Sequence, residues 1–218
     1  MPNWNYNDLL LTHKNKEMIN RVFNCIENKS FFDEFAEVPK GLKTMEQISD
    51  LIFNNYEYYE EIEGTVKILN LKYFGFSSAH EWRIKNWGTK WEPDCSVYTL
   101  IDENSIKLNF DTAWSPPTDF YKRMVEDHGF DVLAYYYEPG MMFCGQFEGV
   151  DGEVIKEEHF DMKENSVEWI KENIPEEIDN AFGICDELDQ YDTDIEEIEI
   201  RLLSFEVDDD KIEEGEGQ

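Results

Sequence analysis

The sequence has few basic residues and lacks the common nucleotide and nucleophile motifs. Only 19 Lys and Arg stand against 50 Asp and Glu in 218 residues, for a formal net charge of -31. A surface of this sign repels phosphate groups, which argues against direct binding of nucleic acid. No GxxxxGK[ST], no GxGxxG after a strand and no G-x-S-x-G is present, so familiar nucleotide-binding and serine-hydrolase chemistries are not expected.

Cysteine and histidine are too scattered to predict a disulfide framework or a metal centre. Cys25, Cys95, Cys144 and Cys185 form no CxxC pair, so we expect free thiols, mostly buried, in a reducing cytoplasm. None of the four histidines has a second His or Cys at metal-ligand spacing, and the acidic run from Asp192 does not fit a calcium loop. We therefore expect no metal, no cofactor and no catalytic residue.

Long apolar runs are also missing. None approaches the ~20 residues that cross a bilayer, and the first residues lack a basic region followed by an apolar stretch, so we expect no signal peptide. Hydrophobic residues nevertheless make up 41% and aromatic residues 15% of the chain, which is enough for a core. These features predict a soluble cytoplasmic protein without membrane contact.

The order of predicted elements favours an antiparallel sheet. Apolar spacing and turn residues predict strands at 5–13 and 65–75, helices at 15–28 and 78–87, an irregular segment at 31–39, and a helix N-capped by Thr44. A hairpin at 95–114, a helix from Ser115 to Gly129, a hairpin that turns at Pro139 and Gly140, and a strand after Asp151-Gly152 follow. We predict an α+β fold, a ferredoxin-like antiparallel sheet with helices on one face.

The acidic charge is concentrated in the last third of the chain. Residues 151–218 hold 26 acidic and 5 basic residues, a net of -21. Isoleucines at spacings of three and four predict two helices divided by Pro175, and alternation at 195–207 predicts a strand with one acidic face. We expect a 1–160 domain with a helical insertion at about 40–90. An acidic helix-strand extension at 161–218 would pack on it, with its last ~10 residues disordered.

The segment EWRIKNWGTKWEP, residues 81–93, holds three tryptophans, and a fourth follows at 114. With the neighbouring cations, these rings would suit stacking of a ligand. Tryptophans at chain corners more often anchor packing, and this is the interpretation we favour. The residues of this structural or ligand-binding motif are Trp82, Arg83, Trp87, Gly88, Trp91 and Trp114.

Three segments carry a family resemblance: MPNW at the start with Asn7 just after it, WRIKNWGTKW at 82–91, and TAWSPP at 112–117. Together they resemble the YubB ferredoxin-like domain family, which occurs in phages, prophages and plasmids. The resemblance covers about residues 1–160, with a departure at Asn5, where the family pattern has cysteine. It implies the ferredoxin-like fold and an origin on a mobile element, and it carries over no catalytic residue. If the chain is phage-encoded, the cytoplasm in which we expect it is that of the host cell.

Three functions remain open, and the sequence does not give the oligomeric state. The first, which we predict, is a phage-type interaction protein whose acidic surface mimics nucleic-acid charge and inhibits a basic defence or nucleic-acid-binding protein of the host. The second is an accessory or assembly protein whose basic aromatic segment docks on another copy's acidic end. The third is a small-molecule or nucleotide enzyme at the tryptophan motif. The predicted partner-binding surface consists of Glu168, Glu172, Glu176, Asp179, Asp186, Glu187, Asp189, Asp192, Asp194, Glu197 and Glu199.

Overall fold

The computed structural model describes residues 3–53, 59–162, 166–190, 193–194 and 198. The chain divides into two compact units, Met1–Asp161 and Met162–Gln218. The first unit contains a six-stranded antiparallel sheet in the order β2-β3-β1-β4-β5-β6. The predicted α+β fold, an antiparallel sheet with helices on one face, is confirmed.

The strands follow the predicted hairpins closely. They are β1 (Trp4–Thr12), β2 (Val97–Asp102), β3 (Ser105–Ala113), β4 (Asp131–Glu138), β5 (Phe143–Val150) and β6 (Glu153–Asp161). The turn between β5 and β6 consists of Asp151 and Gly152, both at positive φ, 50° and 85°. This is the backbone that an Asp-Gly pair provides in a tight hairpin.

Helices of the first unit pack on one face of this sheet. They are α1 (Lys16–Glu27), α2 (Phe31–Phe35), α3 (Lys40–Phe53), α4 (Tyr59–Phe74), α5 (Ala79–Trp87) and α6 (Thr118–Glu126). Alternate strand residues, such as Leu9 and Leu11 of β1 and Leu108 of β3, are fully buried and share one core with Val22 of α1 and Met124 of α6. The period of two along each strand places these side chains on the same side of the sheet.

Three sequence-based predictions in the helical part are wrong. Residues 65–74 belong to α4 rather than to a strand; the β-branched residues there suggested a strand, but the less exposed positions Val66, Asn70 and Phe74 recur every four residues, as on a helix. Residues 31–35 form α2 instead of an irregular segment. Thr44 is not an N-cap, because it lies inside α3 and its hydroxyl donates to the Lys40 carbonyl.

The second unit begins with two short helices on either side of Pro175, as predicted. They are α7 (Val167–Asn173) and α8 (Glu176–Phe182), and residues 184–190 are also helical. Most of the strand predicted at 195–207 and the disorder predicted for the last residues lie outside the described part of the chain. Ile198 is described and is helical, so the extended backbone predicted there is wrong. Among the described residues, no helix combines the length and apolarity needed to cross a membrane.

Trp87, the last residue of α5, joins the helices to the core. Its side chain is 2% exposed, and its indole N–H donates to the Ala36 carbonyl at 2.9 Å. Its ring lies 5.5 Å from that of Phe32 and 6.1 Å from that of Trp82, centroid to centroid. Trp87 therefore contributes both apolar burial and a satisfied polar group.

We predict that Trp87→Phe lowers the free energy of unfolding by about 2–4 kcal/mol, because it creates a cavity and leaves the Ala36 carbonyl without its donor. The matched control is Trp91→Phe, at a side chain that is 50% exposed, where we expect a change of less than about 1 kcal/mol. Urea unfolding followed by circular dichroism measures both. Equal losses in the two variants would contradict the assignment of Trp87 to the core.

Candidate functional site

The two tryptophan segments meet at Gly88. Its backbone is left-handed, with φ at 83°, and a Cβ built there would lie 3.0 Å from the Pro116 carbonyl oxygen. The Ser115 hydroxyl donates to the Gly88 carbonyl at 2.6 Å, and the Thr89 hydroxyl donates to the Ala113 carbonyl at 3.3 Å. The segments 82–91 and 112–117 therefore form one joint, which holds the end of α5 against the end of β3.

This joint divides the tryptophans into two groups. Trp82 and Trp87 are buried, at 9% and 2% exposure, whereas Trp91 and Trp114 are 50% and 43% exposed. Sequence reasoning treated the four as one set and favoured packing for all of them. The two exposed rings depart from that interpretation, because they follow the left-handed turn at Gly88 and the end of β3 rather than lying on a buried helix face.

Trp114 has an unusual backbone conformation. Its φ is 72°, a region that a bulky side chain rarely adopts and that carries strain. Its backbone N–H donates to the Asn3 carbonyl at 3.0 Å, which fixes the residue beside the start of β1. The surrounding contacts thus hold an exposed indole in a strained position.

Trp4 completes an exposed aromatic surface with Trp91, Trp114 and Lys90. The ammonium of Lys90 lies 5.5 Å from the Trp91 ring centroid and 5.6 Å from that of Trp114, within cation–π range. Trp4 is 43% exposed, and its ring lies 6.5 Å from that of Trp91. Sequence reasoning missed Trp4 as a site residue, because it joins this surface through the pairing of Trp4 with Ala113 across the sheet.

The cations next to the buried tryptophans are paired with carboxylates. Arg83 donates through Nη1 and Nη2 to the two Glu46 carboxylate oxygens, both at 2.7 Å, and Lys43 forms an ion pair with Asp33. A two-point guanidinium–carboxylate contact is the strong form of this interaction. Arg83 is therefore engaged within the protein, which weakens the interpretation of this segment as a phosphate-binding platform.

Glu92 is a functional candidate that sequence reasoning missed. Its carboxylate accepts from the backbone N–H of Phe32 at 2.8 Å and of Asp33 at 2.6 Å, so it caps the start of α2. Burial raises the pKa of Glu92 to about 7, against the lowering effect of those two donors. No local motif indicates this role, since its partners lie some sixty residues earlier in the chain.

Two surface pockets meet at Trp91 and Glu92. One, of about 280 Å³, is lined by Trp4, Asp94 and Asp111 together with those two residues. The other, of about 330 Å³, is lined by cations and by Trp87. Trp82 and Trp114 do not line either pocket, so neither of these two pockets gathers the four motif tryptophans.

Those acidic residues of the predicted partner surface that the structure describes lie in helical segments of the second unit. The exposed ones among the described residues are Glu168, Glu172, Glu176, Asp186, Glu187, Asp189 and Asp194. Asp179 differs, because its carboxylate accepts from the Cys185 backbone N–H at 2.8 Å and caps the helix at 184–190. Asp192, Glu197 and Glu199 lie outside the described residues.

We predict that Gly88→Ala lowers the free energy of unfolding by at least about 2 kcal/mol. We expect this loss of stability because the backbone at 88 is left-handed and because the new methyl group would contact the Pro116 carbonyl. Gly64→Ala is the matched control: Gly64 lies inside α4 with open space around a built Cβ, so the exchange should be neutral or slightly stabilising. Chemical unfolding checks both variants, and a neutral Gly88→Ala would show that the joint tolerates separation.

We predict that stability depends on pH through Glu92. Because its pKa of about 7 in the folded chain lies above its ordinary 4.5, the folded state binds the proton more tightly. This stabilisation is complete below about pH 4.5 and is lost as pH rises through 7. The free energy of unfolding of the wild type minus that of Glu92→Gln should therefore fall by about 2–3 kcal/mol between pH 5 and 8. Unfolding curves at several pH values measure it, and a constant difference would refute the raised pKa.

Comparison with known proteins supports a ferredoxin-like family. Residues 86–186 match the family model described as the ferredoxin-like domain in Api92-like protein. The crystal structure of the protein Api92 from Yersinia pseudotuberculosis is similar over 73% of this chain and 98% of that chain, with 10% sequence identity and a TM-score of 0.42. No curated protein matches the chain. The matched segment contains residues 86–91 and 112–117 of the tryptophan joint and extends through α7 and α8.

Proposed function

We propose that this protein binds a basic protein partner through its acidic helices at 166–190. In this proposal the carboxylates occupy the positions that nucleic-acid phosphates take in the partner's cleft, and so inhibit a defence or nucleic-acid-binding protein. The chain is then the product of a phage-type mobile element that acts in the host cytoplasm. The resemblance of the segments 82–91 and 112–117 to the YubB family supports this origin.

One observation carries the proposal: acidic side chains are fixed on folded helices. Residues 166–190 hold eight acidic residues and a single basic one. In the same helices Ile170, Ile178 and Ile184 are buried, at 1% exposure or less. A solvated acidic tail would have no such inward side. The carboxylates therefore keep defined spacing, with Glu168 and Glu172 about 6 Å apart along α7.

The acidic helices differ from the first unit in how far their charges are paired. Nine basic residues of the first unit form ion pairs with carboxylates: Lys14, Lys16, Arg21, Lys43, Lys67, Arg83, Lys107, Lys122 and Arg123. The exposed acidic residues at 166–190 have no ion pair among the described residues. Their uncompensated charge would attract a basic partner and accelerate its encounter at low salt.

A second function is favoured by the position of Lys90. It has no carboxylate partner among the described residues and lies between two exposed indoles. An accessory or assembly protein of a phage or plasmid would use this cation and its rings to dock on the acidic helices of another copy. Both functions depend on the same carboxylates, so the experiment must separate self-association from binding of a partner.

We expect capture of basic nucleic-acid-binding proteins from host lysate to depend on the acidic helices. The test variant combines Glu168→Gln, Glu172→Gln, Asp186→Asn and Asp189→Asn, and the matched control removes four exposed charges from the first unit through Glu103→Gln, Glu126→Gln, Glu153→Gln and Glu157→Gln. Compared with the wild type, the test variant should capture about tenfold less partner or lower still. The amount captured by the control should stay within about twofold of the wild type. Duplex DNA and added salt should release the captured protein.

Equal capture by the two variants would overturn the proposal, as would partners that duplex DNA does not displace. Sedimentation of the free protein at low and high salt excludes the second function if the chain is a monomer at both. A dimer that dissociates with salt and with Lys90→Gln would instead favour docking between copies.

A further inference from the structure

The pocket between Trp4 and Trp91 is lined by aromatic rings of the kind that bind cations. The two indole rings are tilted by 48° with their centroids 6.5 Å apart, and both line the same pocket beside the end of β3. About half of each side chain remains exposed. Exposed indoles on a structured surface mark a contact site when they converge on one cavity.

Acidic residues line this pocket. They are Glu92, Asp94 and Asp111, and no basic side chain lines it in the part of the chain that the structure describes. Glu92 is engaged with the start of α2, and Asp94 accepts from the Ser96 backbone N–H at 3.1 Å. The Asp111 side chain has no hydrogen bond or ion pair with any described residue, and partial burial raises the pKa of its carboxyl group. A cation beside Asp111 would supply the partner that this carboxylate lacks.

The chain itself already places a cation on one of these rings. Lys90, which does not line the pocket, lies 5.5 Å from the Trp91 centroid. Such contacts contribute about 0.5–2 kcal/mol depending on exposure. The indole of Trp91 is thus electrostatically suited to a positive ligand, and the charge of Lys90 opposes the entry of a second one.

We propose that the Trp4–Trp91 pocket binds the guanidinium group of an arginine side chain on a protein partner. A guanidinium is planar, stacks on aromatic faces and is more weakly hydrated than an ammonium, and it also donates to a carboxylate in two-point geometry. A pocket lined by a tilted pair of indoles and by a carboxylate without a side-chain partner among the described residues matches this combination. The pocket belongs to the first unit and does not depend on the acidic helices, so it can be tested whether or not the proposed function holds.

The test uses two short capped peptides, Gly-Arg-Gly and Gly-Lys-Gly, added to the full chain. Indole N–H resonances of Trp4 and Trp91 should shift with the arginine peptide, and the lysine peptide should bind at least about threefold more weakly. Trp91→Ala should reduce the affinity by about tenfold and Asp111→Asn by about threefold. Lys90→Gln should increase it, because a competing positive charge is removed.

Trp114→Ala is the matched control, since Trp114 is equally exposed and also contacts Lys90 but does not line the pocket. Its affinity should stay within about twofold of the wild type. Equal binding of the two peptides, or a loss in Trp114→Ala as large as that in Trp91→Ala, would overturn the proposal. The proposal would also be overturned if millimolar concentrations of the arginine peptide caused no shift of the indole resonances in the wild-type protein.

Discussion

The approach of Gly88 to the Pro116 backbone is the constraint on which this part of the molecule depends. A side chain at 88 would separate α5 from the turn after β3. This separation would also break the hydrogen bonds of Ser115 and Thr89 that cross the joint. Because the chain reverses at this point, Trp87 enters the core while Trp91 emerges beside the end of the sheet. The same backbone turn thus accounts for the burial of Trp87 and for the exposure of Trp91.

A buried polar network connects this joint to the middle of the sheet. The Thr112 hydroxyl donates to the Ser115 carbonyl at 2.8 Å and accepts from the Asn7 amide at 3.0 Å, and the Tyr121 hydroxyl of α6 donates to Asn7 at 3.1 Å. Asn5 also donates to the Asn7 side chain, at 3.1 Å. Buried hydrogen bonds of this kind favour one arrangement of their elements, and within the network the buried Asn5 Oδ1 has no hydrogen-bond partner among the described residues. Asn5 therefore adds an amide to this network.

Features with local causes could be predicted from the sequence. Ser78 accepts from the Glu81 N–H and Gly88 ends α5 in the left-handed region, and Pro175 divides the acidic helices, because capping and proline chemistry act over a few residues. The site was harder to predict. Trp4 joins it through sheet pairing, and Glu92 caps a helix far earlier in the chain. The α4 error arose because an amide, Asn70, occupies a buried position and donates to the Ser77 carbonyl, so the buried stripe was not wholly apolar.

The arrangement of the sheet also limits how the molecule can meet other proteins. β6 is the last strand of the sheet, and six of its nine residues are ionisable and mostly exposed. Bringing a second strand alongside would require burying or opposing those charges, so the open main-chain groups are a poor template for strand addition. This charged edge therefore disfavours strand addition, whereas the opposite edge strand, β2, exposes the apolar side chains of Val97, Leu100 and Ile101.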